Sequence, residues 1–321
     1  MNLTLALPSL PLHTGHRQTP AFNQMLRYGR WQPQPCRPSE FYRRHLWKGS
    51  ILQQAKRIAG IAPNRPAAFA SPFYQEMGMH SAGITAGRHL AISPHEAQRW
   101  CAELSSFYQD EHWAFVPLLN DLWLALMPSE NHTEQPDWQV TPAPDIGNQI
   151  GPADQACGND APTWLAKQTE IQMWLHQHPL NAERRRQGLP PVNVLWLWQD
   201  LTGNADSDII FSNSPWAAFS PTPVRPVPDN FGDLQQILNQ LSENPDNCLI
   251  LQDDFTLCGS ESHTSLLQHW EQTWFAPLWQ ALNQRRLHRL TLATEQGTLH
   301  LIPRSHLAFW RTAGKFERKF G

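Results

Sequence analysis

The residues with the clearest chemical potential lie in a short basic segment near the middle of the chain. Asn181 precedes three consecutive arginines, Arg184 to Arg186, and Gly188 follows them. An arginine guanidinium can bind phosphate or carboxylate through two parallel hydrogen bonds, so Arg184 is a candidate anion-binding residue. The pattern also has a structural interpretation, in which Asn181 caps a helix, the arginines stabilise its negative end and Gly188 stops it. Both interpretations stay open here.

Two pairs of residues suggest metal chemistry at first sight. Asp253 and Asp254 follow an apolar segment, and α/β proteins bind ligands at the carboxyl ends of their strands. They are candidates for metal or ligand binding, with turn formation as the alternative. His176 and His178 are two residues apart, so in a helix they point to roughly opposite sides and would not share a metal ion. We expect one histidine to pack or cap and the other to face solvent.

The elements that must position these residues alternate along the chain. Apolar periodicity and capping signals predict helices over 19–29, 40–60, 93–108, 231–243 and 263–285. The same criteria predict strands over 2–7, 247–254, 287–294 and 297–303, with a hairpin over 112–127. Residues 128–163 and 201–230 are rich in proline and polar residues, which predicts irregular connections. Alternation of strands and helices at both ends indicates an α/β fold with a parallel-sheet core.

Composition limits the class of protein. The chain has 321 residues and a mass of 36.8 kDa, enough for one large domain or two ordinary ones. A formal net charge of −3 gives no overall attraction to nucleic acid or to an anionic membrane. No apolar run approaches the ~18 residues of a membrane span, and the first residues lack the basic region of a signal peptide. The five cysteines include no Cys-x-x-Cys pair, which indicates reduced thiols and predicts a cytoplasmic protein.

Residues 178–193 also carry a resemblance to a known family. They read H-P-L-N-x-x-R-x-x-x-G-x-x-P-x-N and lead into the tryptophan-rich segment VLWLW. This order resembles the archaeal type of cofactor-independent, metal-dependent phosphoglycerate mutase, and more closely an RpfE-type group of bacterial regulatory proteins. The resemblance implies an alkaline-phosphatase-like parallel-sheet core that is discontinuous in sequence, with an inserted α+β domain. We expect the core to comprise residues 1–75 and 195–321, and the inserted domain residues 76–194.

The resemblance also implies metal ligands, and the sequence departs from them. Where the family has an aspartate after its first strand, this chain has Pro8 and Ser9. Where the family has an Asp-His pair, this chain has Glu295 and Gln296. A divalent metal between phosphate oxygens needs several anionic ligands, which these substitutions largely remove.

Some candidates remain for an enzyme of this family. Residues 253–259 resemble its D-x-x-G-H run, but His263 is displaced from the expected position. Ser39 is the only candidate for a phosphoryl-accepting serine. An active enzyme would therefore use Ser39, Asp253 and Asp254 in catalysis, and would bind Mn²⁺ or Mg²⁺ through Asp253, Asp254, His263 and Glu295.

The family's substrate-binding residues are retained better than its metal ligands. Ala-Gly-Arg88 resembles a family A-G-R run whose arginine contacts a substrate phosphate or carboxylate. Asp145 matches the aspartate of a T-x-P-H-D-I run, in which Pro144 replaces the histidine. With Asn181 and Arg184, these residues predict a ligand-binding set of Arg88, Asp145, Asn181 and Arg184.

The sequence therefore predicts a catalytically degenerate phosphoglycerate-mutase-like protein with a binding or regulatory role. The alternative is a divergent metal-dependent phosphoglycerate mutase or phosphatase. No cofactor is expected unless the alternative holds, in which case Mn²⁺ or Mg²⁺ is. The expected partner is another protein or a small phosphorylated or carboxylate ligand. We expect no membrane association, and the net charge argues against nucleic acid despite the local arginine clusters.

Overall fold

The fold was analysed in a computed structural model that describes residues 1–12, 18–77, 82–128, 137–147, 149–151, 154, 156–243, 245–257 and 263–303. The chain divides into two compact units. We call Met1–Gly49 together with Gly203–Gly321 the split unit, and Ser50–Thr202 the middle unit. The split unit is thus assembled from the two ends of the sequence.

The described residues form fifteen strands and ten α-helices. Strands β1 to β15 are Asn2–Ala6, Arg30–Pro33, Lys48–Ser50, Ala67–Met77, Ala82–Ala86, Ala114–Leu119, Leu122–Leu126, Gln149–Ile150, Val194–Trp198, Thr202–Asn204, Ile209–Ser212, Val224–Arg225, Asn247–Leu251, Arg289–Thr294 and Gly297–Leu301. Helices α1 to α10 are Pro20–Tyr28, Pro38–His45, Ile51–Ile58, Pro94–Phe107, Ala161–Gln177, Pro179–Arg186, Phe231–Asn239, Asp254–Leu257, His263–Trp270 and Ala276–Asn283.

A seven-stranded mixed sheet forms the centre of the split unit. Its order is β12-β11-β13-β1-β14-β15-β2. The first five strands are mutually parallel, whereas β15 and β2 add an antiparallel edge. Strand β1 lies between β13 and β14, with Leu5 opposite both Ile250 and Leu292. The first strand of the chain and one of its last strands therefore belong to the same sheet.

Helices α1, α7, α9 and α10 contribute side chains to the core on one face of this sheet. Phe22, Leu234, Leu267 and Leu278 are buried there with the inward side chains of the strands. Between α9 and α10, Glu271–Phe275 forms a π-helical turn. The predicted helix over 263–285 is therefore one helical path with a widened turn. The turn precedes Pro277, which has no N–H and whose ring would crowd the carbonyl of Thr273 in a regular α-helix.

The middle unit is built around a second sheet, whose pairings are all antiparallel. Its order is β6-β7-β4-β5-β8, with β9 also pairing with β4. The predicted hairpin over 112–127 is present as β6 and β7. Helices α4 and α5 contribute Trp100, Ile171 and Leu175 to its core, together with Leu195 and Leu197 of β9, and the other three residues of β9 are buried as well. The apolar VLWLW segment is thus buried on both faces.

Several predictions differ from the structure. The predicted domain divisions at 75/76 and 194/195 lie at 49/50 and 202/203, because β4 pairs with β5, β7 and β9 in the sheet of the middle unit. The predicted helix over 40–60 is two helices separated by β3. The region 201–230, predicted as irregular, contains β11, which pairs in parallel with β13.

Candidate functional site

The carboxyl edge of the parallel strands brings several predicted residues into one region of the split unit. The chain leaves β1 through Pro8 and Ser9, β13 through Asp253 and β14 through Glu295. Parallel strands end at the same edge of a sheet, where α/β proteins bind their ligands. The prediction that Asp253 and Asp254 follow a strand at such an edge agrees with the structure.

Glu295 belongs to a tight turn and not to a metal pair. It and Gln296 form the two-residue connection between β14 and β15, where Thr294 pairs with Gly297. Gly297 has a φ of 150°, and a Cβ there would lie 2.4 Å from the Gln32 carbonyl oxygen. The Glu295 carboxylate accepts a hydrogen bond from the Ser9 backbone N–H at 2.8 Å. An internal backbone donor thus occupies the carboxylate that the resemblance places in a metal site.

Asp253 is buried and binds a tyrosine that the sequence did not single out. The Tyr42 hydroxyl donates to Asp253 Oδ1 at 3.1 Å, and the Asp253 backbone N–H donates to Asn213 Oδ1 at 3.2 Å. Burial raises the pKa of Tyr42 strongly, and the charges of Asp253 and Glu295 add to this effect. The phenol is therefore a hydrogen-bond donor over the physiological range, and it is not poised to lose its proton. The only signal for Tyr42 was its place three residues after Ser39.

Asp254 and His263 also make internal hydrogen bonds. The Asn213 side-chain amide donates to Asp254 Oδ1 at 2.7 Å. His263 Nε2 lies 3.1 Å from the Phe255 carbonyl oxygen, which makes that nitrogen a donor. Ser39 is buried in the first turn of α2, one helical turn before Tyr42. Each predicted catalytic or metal-binding residue thus lies in the split unit, where Asp253 and Asp254 share Asn213 as a partner.

These contacts do not fit a divalent metal. Manganese or magnesium needs convergent oxygen ligands, whereas three carboxylates of this edge accept hydrogen bonds from Ser9, Tyr42 and Asn213. Within the described ranges, which do not include 258–262, no three His, Cys, Asp or Glu side chains are grouped so that they could hold a metal ion. The arrangement can orient polar groups at the sheet edge.

Arg184, the leading anion-binding candidate, is a buried member of the middle unit. Its side chain is 1% exposed. The guanidinium donates to the Pro190 carbonyl oxygen at 2.8 Å, to the Leu90 carbonyl oxygen and to Glu96 Oε1 at 2.7 Å. Burial alone would raise the pKa of Glu96, but hydrogen bonds from the Ser93 backbone and from Arg184 lower it. Arg184 therefore neutralises the carboxylate that completes the capping box of α4.

Asn181 has an equally internal role. Its side-chain amide donates to the carbonyl oxygens of Leu175 and Val192, each at 2.7 Å, and accepts from the Val192 backbone N–H at 2.8 Å. Asn181 is completely buried. It connects the end of α5 to the segment that enters β9, whereas the residue that caps the start of α6 is His178.

The other two residues of the predicted ligand-binding set lie in 3₁₀ turns of the same unit. Arg88 is exposed in the 3₁₀ turn Gly87–Leu90, and its charge acts on Asp121. Burial raises the pKa of Asp121, and the charge of Arg88 offsets part of that effect. Asp145 is half-buried in a separate 3₁₀ turn, Ala143–Asp145. Asn181 and Arg184 use their polar groups for internal contacts, which does not support a single anion pocket formed by Arg88, Asp145, Asn181 and Arg184.

His176 and His178 have different environments, as expected: one faces solvent and the other caps a helix. His176 is exposed, whereas His178 is buried at the start of α6. The Leu180 backbone N–H donates to His178 Nδ1 at 3.2 Å, so the ring hydrogen is on Nε2, which lies 2.9 Å from Glu103 Oε2. The imidazole thus acts as a helix cap between a backbone N–H and a carboxylate.

Comparison of the sequence with protein-family models and with curated proteins finds no match. Solved structures do match the fold. The PH0037 protein from Pyrococcus horikoshii aligns over 93% of this chain and 86% of its own, with 10% identity and a TM-score of 0.50. A cofactor-independent phosphoglycerate mutase from Thermoplasma acidophilum aligns over 94% and 90%, with 14% identity and a TM-score of 0.38. At 10% identity, the similarity to the PH0037 protein concerns the fold alone. No helix in the described ranges combines the length and apolar character needed to cross a bilayer.

Proposed function

We propose that this protein is a catalytically degenerate relative of the cofactor-independent phosphoglycerate mutases, of the RpfE type, with a binding or regulatory role. The proposal rests on the residues that resemble that family and on the carboxyl edge of the split unit. Phosphoryl transfer in that family needs metal ions that neutralise the charge of the transition state. In this chain the Glu295 carboxylate accepts a hydrogen bond from the Ser9 backbone N–H, and this observation carries the proposal.

The hydrogen bond that Asp253 accepts supports the same conclusion. Asp253 is bound by a tyrosine whose pKa is raised, so the phenol keeps its proton and stays on the carboxylate. A metal ion at Asp253 would have to share the carboxylate with this buried hydrogen bond. The alternative function, a divergent mutase or phosphatase using Mn²⁺ or Mg²⁺, requires Asp253, Asp254, His263 and Glu295 to converge on metal ions, whereas each of them makes an internal hydrogen bond.

The experiment is a mutase assay combined with elemental analysis. Purified protein is incubated with 3-phosphoglycerate and added Mn²⁺ or Mg²⁺, and formation of 2-phosphoglycerate is followed. We expect no turnover and no stoichiometric metal. Turnover in the usual enzyme range of ~1–10³ s⁻¹, lost in Asp253→Asn but kept in Asp246→Asn, would establish the enzyme alternative. Asp246 is a suitable control because it is exposed and precedes β13 at the opposite end of the strand.

A further inference from the structure

The split-unit sheet has a polar face that the proposed function does not use. Side chains alternate across each strand, and one set from β1, β14, β15 and β2 contributes to the core. That inward set comprises Leu3, Leu5, Leu290, Leu292, Leu299, Leu301 and the partly buried Trp31. On β14, β15 and β2 the opposite set comprises the buried Ala293 and six polar residues, Arg289, Thr291, Thr298, His300, Arg30 and Gln32, which we call the polar face.

The register places His300 in the middle of the polar face. His300 lies directly opposite Thr291 on β14 and Arg30 on β2. Directly opposite residues of antiparallel strands project to the same side of the sheet. His300 Nδ1 is 3.2 Å from the Thr291 hydroxyl, and Nε2 is 3.0 Å from Gln32 Oε1. Both ring nitrogens are thus held by side chains of the neighbouring strands.

Two arginines flank this histidine. Arg289 is two residues before Thr291 on β14, and Arg30 is across β15 on β2. Both are exposed, and within the described ranges neither guanidinium has a hydrogen bond or an ion pair. Burial lowers the pKa of His300, and the charges of Arg289 and Arg30 lower it further. The two positive charges are therefore close enough to act on the same imidazole.

None of the six residues of the polar face carries a carboxylate. Its six residues supply two guanidinium groups, two hydroxyls, an amide and an imidazole. On β1, the strand beside β14, the residues of this side are Asn2, Thr4 and Ala6, which are also uncharged. Central parallel strands are normally apolar on both faces. A polar, positively charged face beside such a strand suits an anionic ligand better than a layer of apolar side chains.

We propose that the polar face binds a phosphate monoester group, held between Arg30 and Arg289 above His300. Guanidinium groups bind phosphate oxygens in pairs of parallel hydrogen bonds, which a single-point cation does not provide. Arg289 and Arg30 are separated by two strand spacings, about 9.6 Å, and by two residues along the strand, about 6.8 Å, so both long side chains can reach a group centred over β15. The site lies on different residues from the carboxyl edge, and it stands independently of the function proposed there.

The test is a phosphate titration followed by NMR of the His300 imidazole, assigned with His300→Gln. Ionic strength is held constant with sodium chloride. We expect a saturable shift with inorganic phosphate, weakened at least about tenfold in Arg30→Gln and in Arg289→Gln. Arg225→Gln is the matched control, because Arg225 is exposed on β12 at the other edge of the same sheet. All three arginines are on the surface, where substitutions usually change stability by less than about 0.5 kcal/mol.

Two further probes identify the source of the phosphate and the limits of the proposal. A phosphoserine peptide that binds more tightly than inorganic phosphate indicates a phosphorylated protein, and one that binds no better indicates a free phosphorylated metabolite. Absence of a saturable shift, an equal response to acetate or an equal loss in Arg225→Gln would overturn the proposal. If duplex DNA displaces phosphate with the steep salt dependence of contacts to the DNA backbone, the polar face binds nucleic acid and the phosphate-monoester proposal is wrong.

Discussion

Arg184 shows how burial changes the contribution of a charged residue to stability. As an exposed cation near the end of a helix it would contribute only a few tenths to about 1 kcal/mol. In the structure its guanidinium is buried, binds Glu96 and two backbone carbonyl oxygens, and lies 5.7 Å from the centre of the Trp100 ring. It therefore ties α6 to the start of α4 within the middle unit.

Arg184→Ala should consequently destabilise the protein far more than a helix-end cation would. Removing one partner of a buried ion pair leaves the other charge uncompensated and costs about 3–5 kcal/mol. Chemical denaturation of Arg184→Ala measures this loss, with the exposed neighbour Arg185→Ala as control. If both variants lose less than about 1 kcal/mol, Arg184 is only a helix-end cation.

His178 should make the middle unit sensitive to acid. Burial lowers its pKa, and Glu103 offsets part of the effect. The unfolded chain therefore binds a proton more readily than the folded one as the pH falls. The stability that His178 contributes is fully present above its unfolded pKa of about 6.5 and is lost as the pH falls towards the folded pKa. Protonation at Nδ1 also removes the acceptor for the Leu180 N–H.

The variant His178→Asn tests this dependence, because asparagine caps helices but does not titrate. We expect the free energy of unfolding to fall less steeply between pH 7 and pH 5 in His178→Asn than in the unchanged protein. Each unit by which folding lowers the pKa corresponds to about 1.4 kcal/mol. Parallel pH profiles for the two proteins would show that His178 does not contribute.

At the scale of elements, helix α1 depends on a carboxylate from the opposite end of the sequence. The sequence predicts Thr19 as its N-cap, but the Thr19 side chain makes no capping hydrogen bond. Instead Glu271, buried in the π-helical turn, accepts from the Ala21 N–H at 2.7 Å and from the Phe22 N–H at 3.0 Å. A negative charge at a helix N-terminus is favoured by the helix dipole. The π-turn thus presents an internal anion to α1.

Loss of this carboxylate should destabilise the split unit. Glu271→Ala leaves two buried N–H groups without an acceptor, at about 1–3 kcal/mol each. Glu271→Gln keeps one acceptor oxygen and should lose less, and the exposed neighbour Gln272→Ala should be close to neutral. Thermal or chemical unfolding of the three variants measures the order of their losses in stability. Equal losses in Glu271→Ala and Gln272→Ala would mean that α1 does not need this cap.

At the scale of the whole molecule, the two units differ in how the chain builds them. The middle unit is continuous from Ser50 to Thr202, whereas the split unit needs both ends of the chain. Strand β1 lies between β13 and β14 and carries Leu3 and Leu5 into the core. Residues 203–321 alone would therefore present two strands with an unfilled position between them.

A fragment of residues 203–321 should not unfold cooperatively by itself. Adding residues 1–49 as a separate chain should restore the sheet, because only then can β1 pair on both sides. Circular dichroism and amide hydrogen exchange measure the recovery, and residues 50–202 are the control expected to fold alone. A 203–321 fragment that unfolds cooperatively without residues 1–49 would contradict this account.

The sequence by itself determined much of the local structure. The start of α1 at Pro20, its end before Gly29 and the β6–β7 hairpin follow from capping and periodicity signals a few residues long. The burial of VLWLW follows from its continuous apolar character. Such signals depend on neighbouring residues, so one sequence is enough to interpret them.

The tertiary structure alone decided which side chains meet. Ser9 and Glu295 are 286 residues apart, Ala21 and Glu271 are 250 apart, and Tyr42 and Asp253 are 211 apart. Local periodicity carries no information about such pairs, because they depend on the order in which strands enter the sheet. The same reason explains Arg184, whose sequence pattern suits both an anion site and a helix end. Only the fold brings Glu96 and the Leu90 carbonyl oxygen to its guanidinium and commits the residue to the interior.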